Sequence, residues 1–546
     1  LEGGGGLTVS SGTLTLFGNG SRTWGGDTII NQNGNLHTVD SEQISNASDL
    51  LVDGSVLLGG HETVGSLSGS GSILNDGHDL TITQTSNQIF SGDIVGSGAF
   101  YKEGEATLTL ANGSGFDGAA HIKQGKLTIS GPLETEMITV ASGATLTTTG
   151  AELLSDRTTL INDGTLKLGG DEAINNLLGS ETGLVDLDIY NLTLSGGIDF
   201  KGRINGSGSL TTGPGDIVLG GENSFTGELT VLSGSTTTLR GSTEGNVIVA
   251  NGGELTLVSP ERIADKSNLT VNGILNVSGT ERVGDLLSSG LIRGSGLINA
   301  DTYHLIDGGV IGEGVDLGQG VLKSDGTVLI GGNSFANTLT VQSGVMTLDG
   351  TLVHEPELFV NVNMEGTLSL GFDERIGDNA EVKSEGVLTL NGTETVSSLQ
   401  IKGGSSRLSG SGLLLAADYN LSNGATTEQG ANLGVGVLNS GPGIVTLGGD
   451  AAVGTANILS GQLNLNGQLT DVTELKLLEG AVLRNGEGER INDLAVINHA
   501  GTLTLAGDEK VATLNTVGGL LNGAGTLTAA DYNLSNGATT EQGANL

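Results

Sequence analysis

Residues 416–433, AADYNLSNGATTEQGANL, recur unchanged at 529–546. A chain that copies itself in tandem is built from one supersecondary unit stacked on the next, which constrains its architecture before any site is considered. Looser copies extend the series towards the amino end. YNL at Tyr419 and Tyr532 matches YHL at Tyr303, YNL at Tyr190 and HDL at His78, so four of the five tyrosines fall at one repeat position.

A finer period lies inside the long one. Each long unit carries two Glu at one unvarying interval: Glu42 and Glu62, Glu152 and Glu172, Glu261 and Glu281, Glu374 and Glu394, Glu489 and Glu509. The first Glu opens ERI at Glu261, Glu374 and Glu489, EQI at Glu42 and ELL at Glu152; the second sits in G-x-E-x-[VI]-x-x-L. Between them run short stretches of alternating Leu, Val, Ile and Thr broken by Gly, Asn and Asp, a period-2 pattern with frequent turns and almost no helical periodicity. A repeat of about 20 residues cannot bury its own apolar side chains, but coils stacked in register enclose a continuous core.

The expected fold is therefore all-β, a right-handed parallel β-helix of about 20 residues per coil, roughly 27 coils in all. Its tandem units of about 113 residues run over 1–80 (short and partial), 81–192, 193–305, 306–421 and 422–534, with 535–546 opening another. Ile263, Ile376 and Ile491 are expected to point inward, and the neighbouring Arg262, Arg375 and Arg490 to face solvent. The stretch from Phe116 to Glu152 equals that from Phe225 to Glu261, whereas Trp24 to Glu42 is half as long, so the first unit lacks one coil.

Glycine makes up 96 of 546 residues and aromatics only 3%, a composition that would suit a disordered chain were apolar residues not 36% and in alternation. The net charge of −39 disfavours binding to nucleic acid or to an anionic membrane. No apolar run approaches the ~20 residues of a membrane span, so no membrane insertion of this segment is expected. The chain begins and stops inside repeats and lacks a secretion-signal layout at its start, as a segment of a longer protein would. With no cysteine, disulfides, thiolate metal sites and a Cys nucleophile are excluded.

Residues 96–131, GSGAFYKEGEATLTLANGSGFDGAAHIKQGKLTISG, resemble the strand repeat of autotransporter passenger domains: GSG, then G-x-x-TLTL, then N-x-[YF]-x-G, then G-x-L-x-L. The frame recurs at 206–239 with Phe225 and at 326–350 with Phe335, is degraded at Val453, and carries Trp24 in place of Phe in its first copy. The ERI segments resemble the other repeat of Gly-rich passengers. Filamentous-haemagglutinin-like exoproteins of two-partner secretion share the β-helix, and the long units resemble those of biofilm-matrix adhesins. The resemblance implies a secreted or cell-surface bacterial protein, exported through an outer-membrane partner, with exopolysaccharide or neighbouring cell surfaces as partners. Neither an amino-terminal secretion domain nor a translocator barrel is visible in the segment.

The search for chemistry is mostly negative: there is no HExxH, no G-x-S-x-G and no Walker loop, and Gly125-Lys126 is followed by Leu127. The seven histidines (His37, His61, His78, His121, His304, His354 and His499) show no metal-ligand spacing. Carboxylates one coil apart, ~4.8 Å, repel unless hydrogen-bonded, rotated apart or bridged by a cation. Turn N–H groups are the simplest relief, and calcium is the alternative, without the GGxGxD nonapeptides of calcium-binding β-rolls. No cofactor, metal or catalytic residue is expected. Tyr190, Tyr303, Tyr419 and Tyr532 read as coil-corner packing before sugar stacking. Thr runs at 147–149 and 236–238 do not recur at the coil period, which weakens an ice-binding reading.

Two function classes follow. One is a non-catalytic adhesin or biofilm-matrix scaffold whose repeats supply reach. The other is a β-helix enzyme acting on polysaccharide, for which five equivalent Glu pairs are the wrong signature because an active site needs one distinctive cluster. Self-assembly into a filament or surface layer overlaps the first.

Overall fold

The structure, a computed structural model, describes residues 2–18 and 20–546. It is all-β, with parallel strands stacked as a β-solenoid of about 28 turns at ~19-residue spacing, one residue tighter than the Glu interval suggests. The pairings are parallel and join residues on successive turns of the chain, so the ladders run from coil to coil. The chain divides into two compact units, Leu1–Glu281 and Arg282–Leu546.

In the first unit the core is made of inward ladders such as Leu108, Leu127, Leu146, Leu166, Val185 and Ile204, each paired with its successor on the next coil. All six are fully buried, as the alternation requires when one face of every strand lines a closed interior. Phe90, Phe100, Phe116, Phe200 and Phe225 are fully buried in the same interior. At the amino end Ser45 Oγ donates to the Trp24 carbonyl at 2.8 Å, so a single coil step separates Trp24 from the first Glu turn.

In the second unit one inward ladder runs Tyr303, Leu322, Leu339, Val360, Val382, Leu399 and Tyr419, six steps. Six more steps through Leu438, Ala456, Leu475, Ile497 and Leu514 reach Tyr532, so the long repeat equals six coils. Several of its strands are long, as in Leu358–Leu370 and Leu413–Ser422, where the chain continues as strand through a coil corner.

Candidate functional site

The repeated glutamates resolve into two different roles. The second of each pair points inward and is at most 2% exposed: Glu62, Glu172, Glu281, Glu394 and Glu509. Each carboxylate reaches back one coil and accepts the N–H groups of two consecutive residues. The Gln43 and Ile44 amides donate to Glu62 at 3.0 and 2.9 Å, and those of Leu153 and Leu154 to Glu172 at 3.2 and 3.1 Å. Arg262 and Ile263 do so to Glu281 at 2.9 and 3.1 Å, Ile376 to Glu394 at 3.0 Å with Arg375 beside it, and Arg490 and Ile491 to Glu509 at 2.8 and 3.0 Å.

The first Glu of four pairs makes this possible. Glu42, Glu152, Glu261 and Glu374 adopt left-handed φ of 49–55°, a conformation that turns the next two N–H groups towards the interior as a small anion nest. The fifth copy uses Gly488, at φ 80°, one residue earlier. Hydrogen bonding by turn amides is thus the relief that the carboxylates find, and the pairs do not stack face to face.

Burial outweighs those donors. It pushes the Glu62, Glu172 and Glu394 carboxyls up to about 7 against the lowering pull of the two backbone donors, with Glu42, Glu152 and Glu374 adding repulsion. Glu281 and Glu509 are raised for the same first reason, burial.

The isoleucines of the ERI turns are 1–2% exposed, as expected. The arginines correct the expectation, because they are only partly exposed and fold back on the coil. Arg262 donates to the Pro260 and Arg240 carbonyls at 3.0 and 2.7 Å, and Arg375 to those of Asp373 and Asp349 at 2.9 and 2.6 Å.

Tyr303 and Tyr419 are fully buried, and their hydroxyls hold a coil corner. Each accepts the Ala300 or Ala416 N–H at 2.8 Å and donates to the Ile298 or Leu414 carbonyl at 2.9 or 2.8 Å. Tyr532 repeats the geometry at 2.7 and 2.9 Å. A Cβ on Gly320 or Gly436, one coil further on, would come within 2.3 or 2.2 Å of the Ala300 or Ala416 carbonyl oxygen and 2.9 Å of the tyrosine ring, at φ of 150° or 142°, which is why glycine stands at both. Tyr190 and His78 do not share this place. Each sits in a backbone turn closed by its own N–H to the Leu187 or Asn75 carbonyl, after Asp188 and Asp76 in left-handed φ.

The remaining candidates are absorbed locally. His61 and His78 meet edge to face at 5.7 Å, and His61 Nδ1 accepts the Asp79 N–H at 2.9 Å, so the 3.4 Å approach of the Asp79 carboxylate to that unprotonated nitrogen is no ion pair. His121 stacks on Tyr101 at 4.7 Å. Thr237 joins Thr212 and Ser235 in a buried hydroxyl cluster instead of an outward ladder. Lys102, overlooked in the sequence, is fully buried, with Nζ donating to the Glu103, Gly104 and Gln124 carbonyls at 2.9, 2.7 and 3.0 Å. Its place two residues after inward Phe100 was the available signal. Among the described residues no group of three or more His, Asp and Glu side chains is placed to hold a metal ion, and no helix is long and apolar enough to cross a membrane.

A concave site lies in the second unit. This groove of about 660 Å³ has Phe335 and Val353 on its floor, 41% and 37% exposed, and Gln319, His354, Glu355, Asp378 and Asn379 at its rim. Ser334, Leu352 and Ile376 pair in succession, so Phe335, Val353 and Gly377 follow one another outward on three coils. The chain then detours: Leu352 to Val360 takes eight residues, where Leu469 to Leu475, at the same place in the next copy, takes six. The loop so formed is held down by Asn379 Nδ2, which donates to the His354 and Pro356 carbonyls at 2.6 and 2.9 Å. His354 Nδ1–H donates to the Phe335 carbonyl at 3.2 Å. Sequence reasoning missed the site because it placed Phe335 with the inward Phe116 and Phe225.

No family model, curated protein or solved structure matches this chain.

Proposed function

We propose that this chain is a non-catalytic extracellular scaffold, a spacer of a bacterial adhesin or biofilm-matrix protein. The observation that carries the reading is that the recurring polar residues are internal braces. The inward carboxylates hold turn amides of the preceding coil, and the Tyr303 and Tyr419 hydroxyls hold corner amides and carbonyls, so the side chains an enzyme would need at its surface are committed to stacking. The glutamate brace stands in all five copies, as a repeat selected for stacking would keep it, whereas an active site needs one copy only.

Displaying the chain on a cell surface tests this. Deletion of residues 422–534, which removes six coils in register, is expected to leave the protein folded and to lower cell aggregation in proportion to the units lost. Depolymerisation of a polysaccharide by the purified chain, abolished by the same deletion, would replace the scaffold with the enzyme reading.

A further inference from the structure

The groove beside Phe335 is where the repeat departs from itself. In the following copy Ala452 stands in place of Phe335, Thr470 in place of Val353 and Asp471 in place of His354, and the two-residue detour is missing. There Lys510 bonds the carboxylate of Asp493, which corresponds to Asp378, and the cavity shrinks to about 370 Å³. In the first unit the corresponding outward positions hold Gly115 and Ser224, with the Phe turned inward. Stacking alone requires none of these changes, since the plain copies stack without them.

We propose that this groove binds a neutral glycan. Its volume lies within the ~300–1,000 Å³ of small-ligand sites. A pyranose has an apolar C–H face, which suits the Phe335 ring and the Val353 methyls, and a rim of hydroxyls. Around that floor the polar groups are chiefly acceptors: the Asp378 and Glu355 carboxylates and the Asn379 amide oxygen, whose nitrogen is already held by the loop carbonyls. Acceptors call for a donor-rich ligand, and hydroxyls supply donors without charge. The two carboxylates, in a chain of net charge −39, turn away uronates, sulfated sugars and nucleic acid. A cationic peptide would satisfy the carboxylates but would desolvate its charge over an apolar floor. The inference rests on the scaffold reading only in that the sugar leaves unchanged.

The test is calorimetric titration of the intact chain with neutral hexasaccharides of glucose, mannose, galactose and N-acetylglucosamine, beside oligogalacturonate and oligolysine. At least one neutral hexasaccharide is expected to bind with a Kd on the order of 0.1–1 mM. Phe335→Ala and Asp378→Asn should each weaken it roughly tenfold, and Thr470→Ala, in the plain copy, should not. Binding of no neutral sugar, binding of oligolysine or oligogalacturonate alone, or affinity unchanged in Phe335→Ala would each overturn the proposal. Chromatography of the recovered sugar separates the two readings: shortened products would end the scaffold reading and leave the binding site standing.

Discussion

The tripeptide Asn-Ser-Phe occurs at 223–225 in the first unit and at 333–335 in the second, and the two copies face opposite ways. Asn223 and Phe225 are buried with Ser224 outside, whereas Ser334 is buried with Asn333 and Phe335 outside. The difference lies upstream. From inward Leu219 every second residue points in, giving Gly221, Asn223 and Phe225; from inward Ile330 the same count gives Gly332, Ser334 and Ala336. Glu222, an extra residue between the Gly pair and the tripeptide, shifts the phase by one and exchanges a core phenylalanine for a groove floor. A side chain's face in a solenoid is counted from the preceding strand and not carried by the motif.

The largest expected effect breaks that comparison directly. Phe225→Ala removes a fully buried ring and is expected to cost about 3–5 kcal/mol, whereas Phe335→Ala should cost about 1 kcal/mol or less. Because a solenoid opens locally, amide exchange in the strand Leu229–Val231 is a better gauge than a global melt. Equal losses at the two phenylalanines would mean that the phase assignment is wrong.

The glutamate turn behaves in the opposite manner and keeps its place in both units. It does so because two elements on successive coils specify each other: a left-handed residue aims two amides, and the carboxylate one coil on receives them. Glu394→Ala leaves the Arg375 and Ile376 amides without their acceptor, at about 1–3 kcal/mol for each buried donor.

The wild-type chain should also be more stable at pH 5 than at pH 8. The folded carboxyls of Glu62, Glu172 and Glu394 sit near 7 against 4.5 unfolded, so their contribution is fully present below about 4.5 and is lost as pH rises through 7. Denaturant midpoints across that range should show the fall, and Glu394→Gln should flatten part of it. A midpoint that rises with pH would show that the turn amides, not burial, govern these groups.

These contrasts mark what was legible in the chain. The period, the alternation and the Glu interval announce parallel coils, since each is a property of spacing that survives substitution. The amide-braced Glu follows from asking how a carboxylate at the coil period is relieved. Phe335 and the groove were hidden, because a one-residue phase shift and a two-residue detour leave the local motif intact while moving what surrounds it. Arg262 and Arg375 were misread as solvent-facing because alternation gives the direction of Cβ and not where a long side chain ends.

The smallest effect sharpens the comparison with a second repeated string, YNL at 190–192 and at 419–421. Both serve a coil corner, by different means. In the first unit Asp188 takes a left-handed φ of 55° and the backbone closes its own turn from the Tyr190 N–H to the Leu187 carbonyl, leaving the Tyr190 hydroxyl without a hydrogen bond among the described residues. In the second the chain passes the corner as strand, and the Tyr419 hydroxyl takes up the Ala416 N–H and the Leu414 carbonyl. Tyr419→Phe keeps the ring but leaves the buried Ala416 N–H without its acceptor, while the Leu414 carbonyl keeps the Gly434 N–H, at about 1–3 kcal/mol. Tyr190→Phe strands nothing and should stay within about 0.5 kcal/mol of the parent. Exchange protection of the Ala416 amide is the decisive reading: it should fall in Tyr419→Phe alone, and protection retained there would show that the strand, not the hydroxyl, holds the corner.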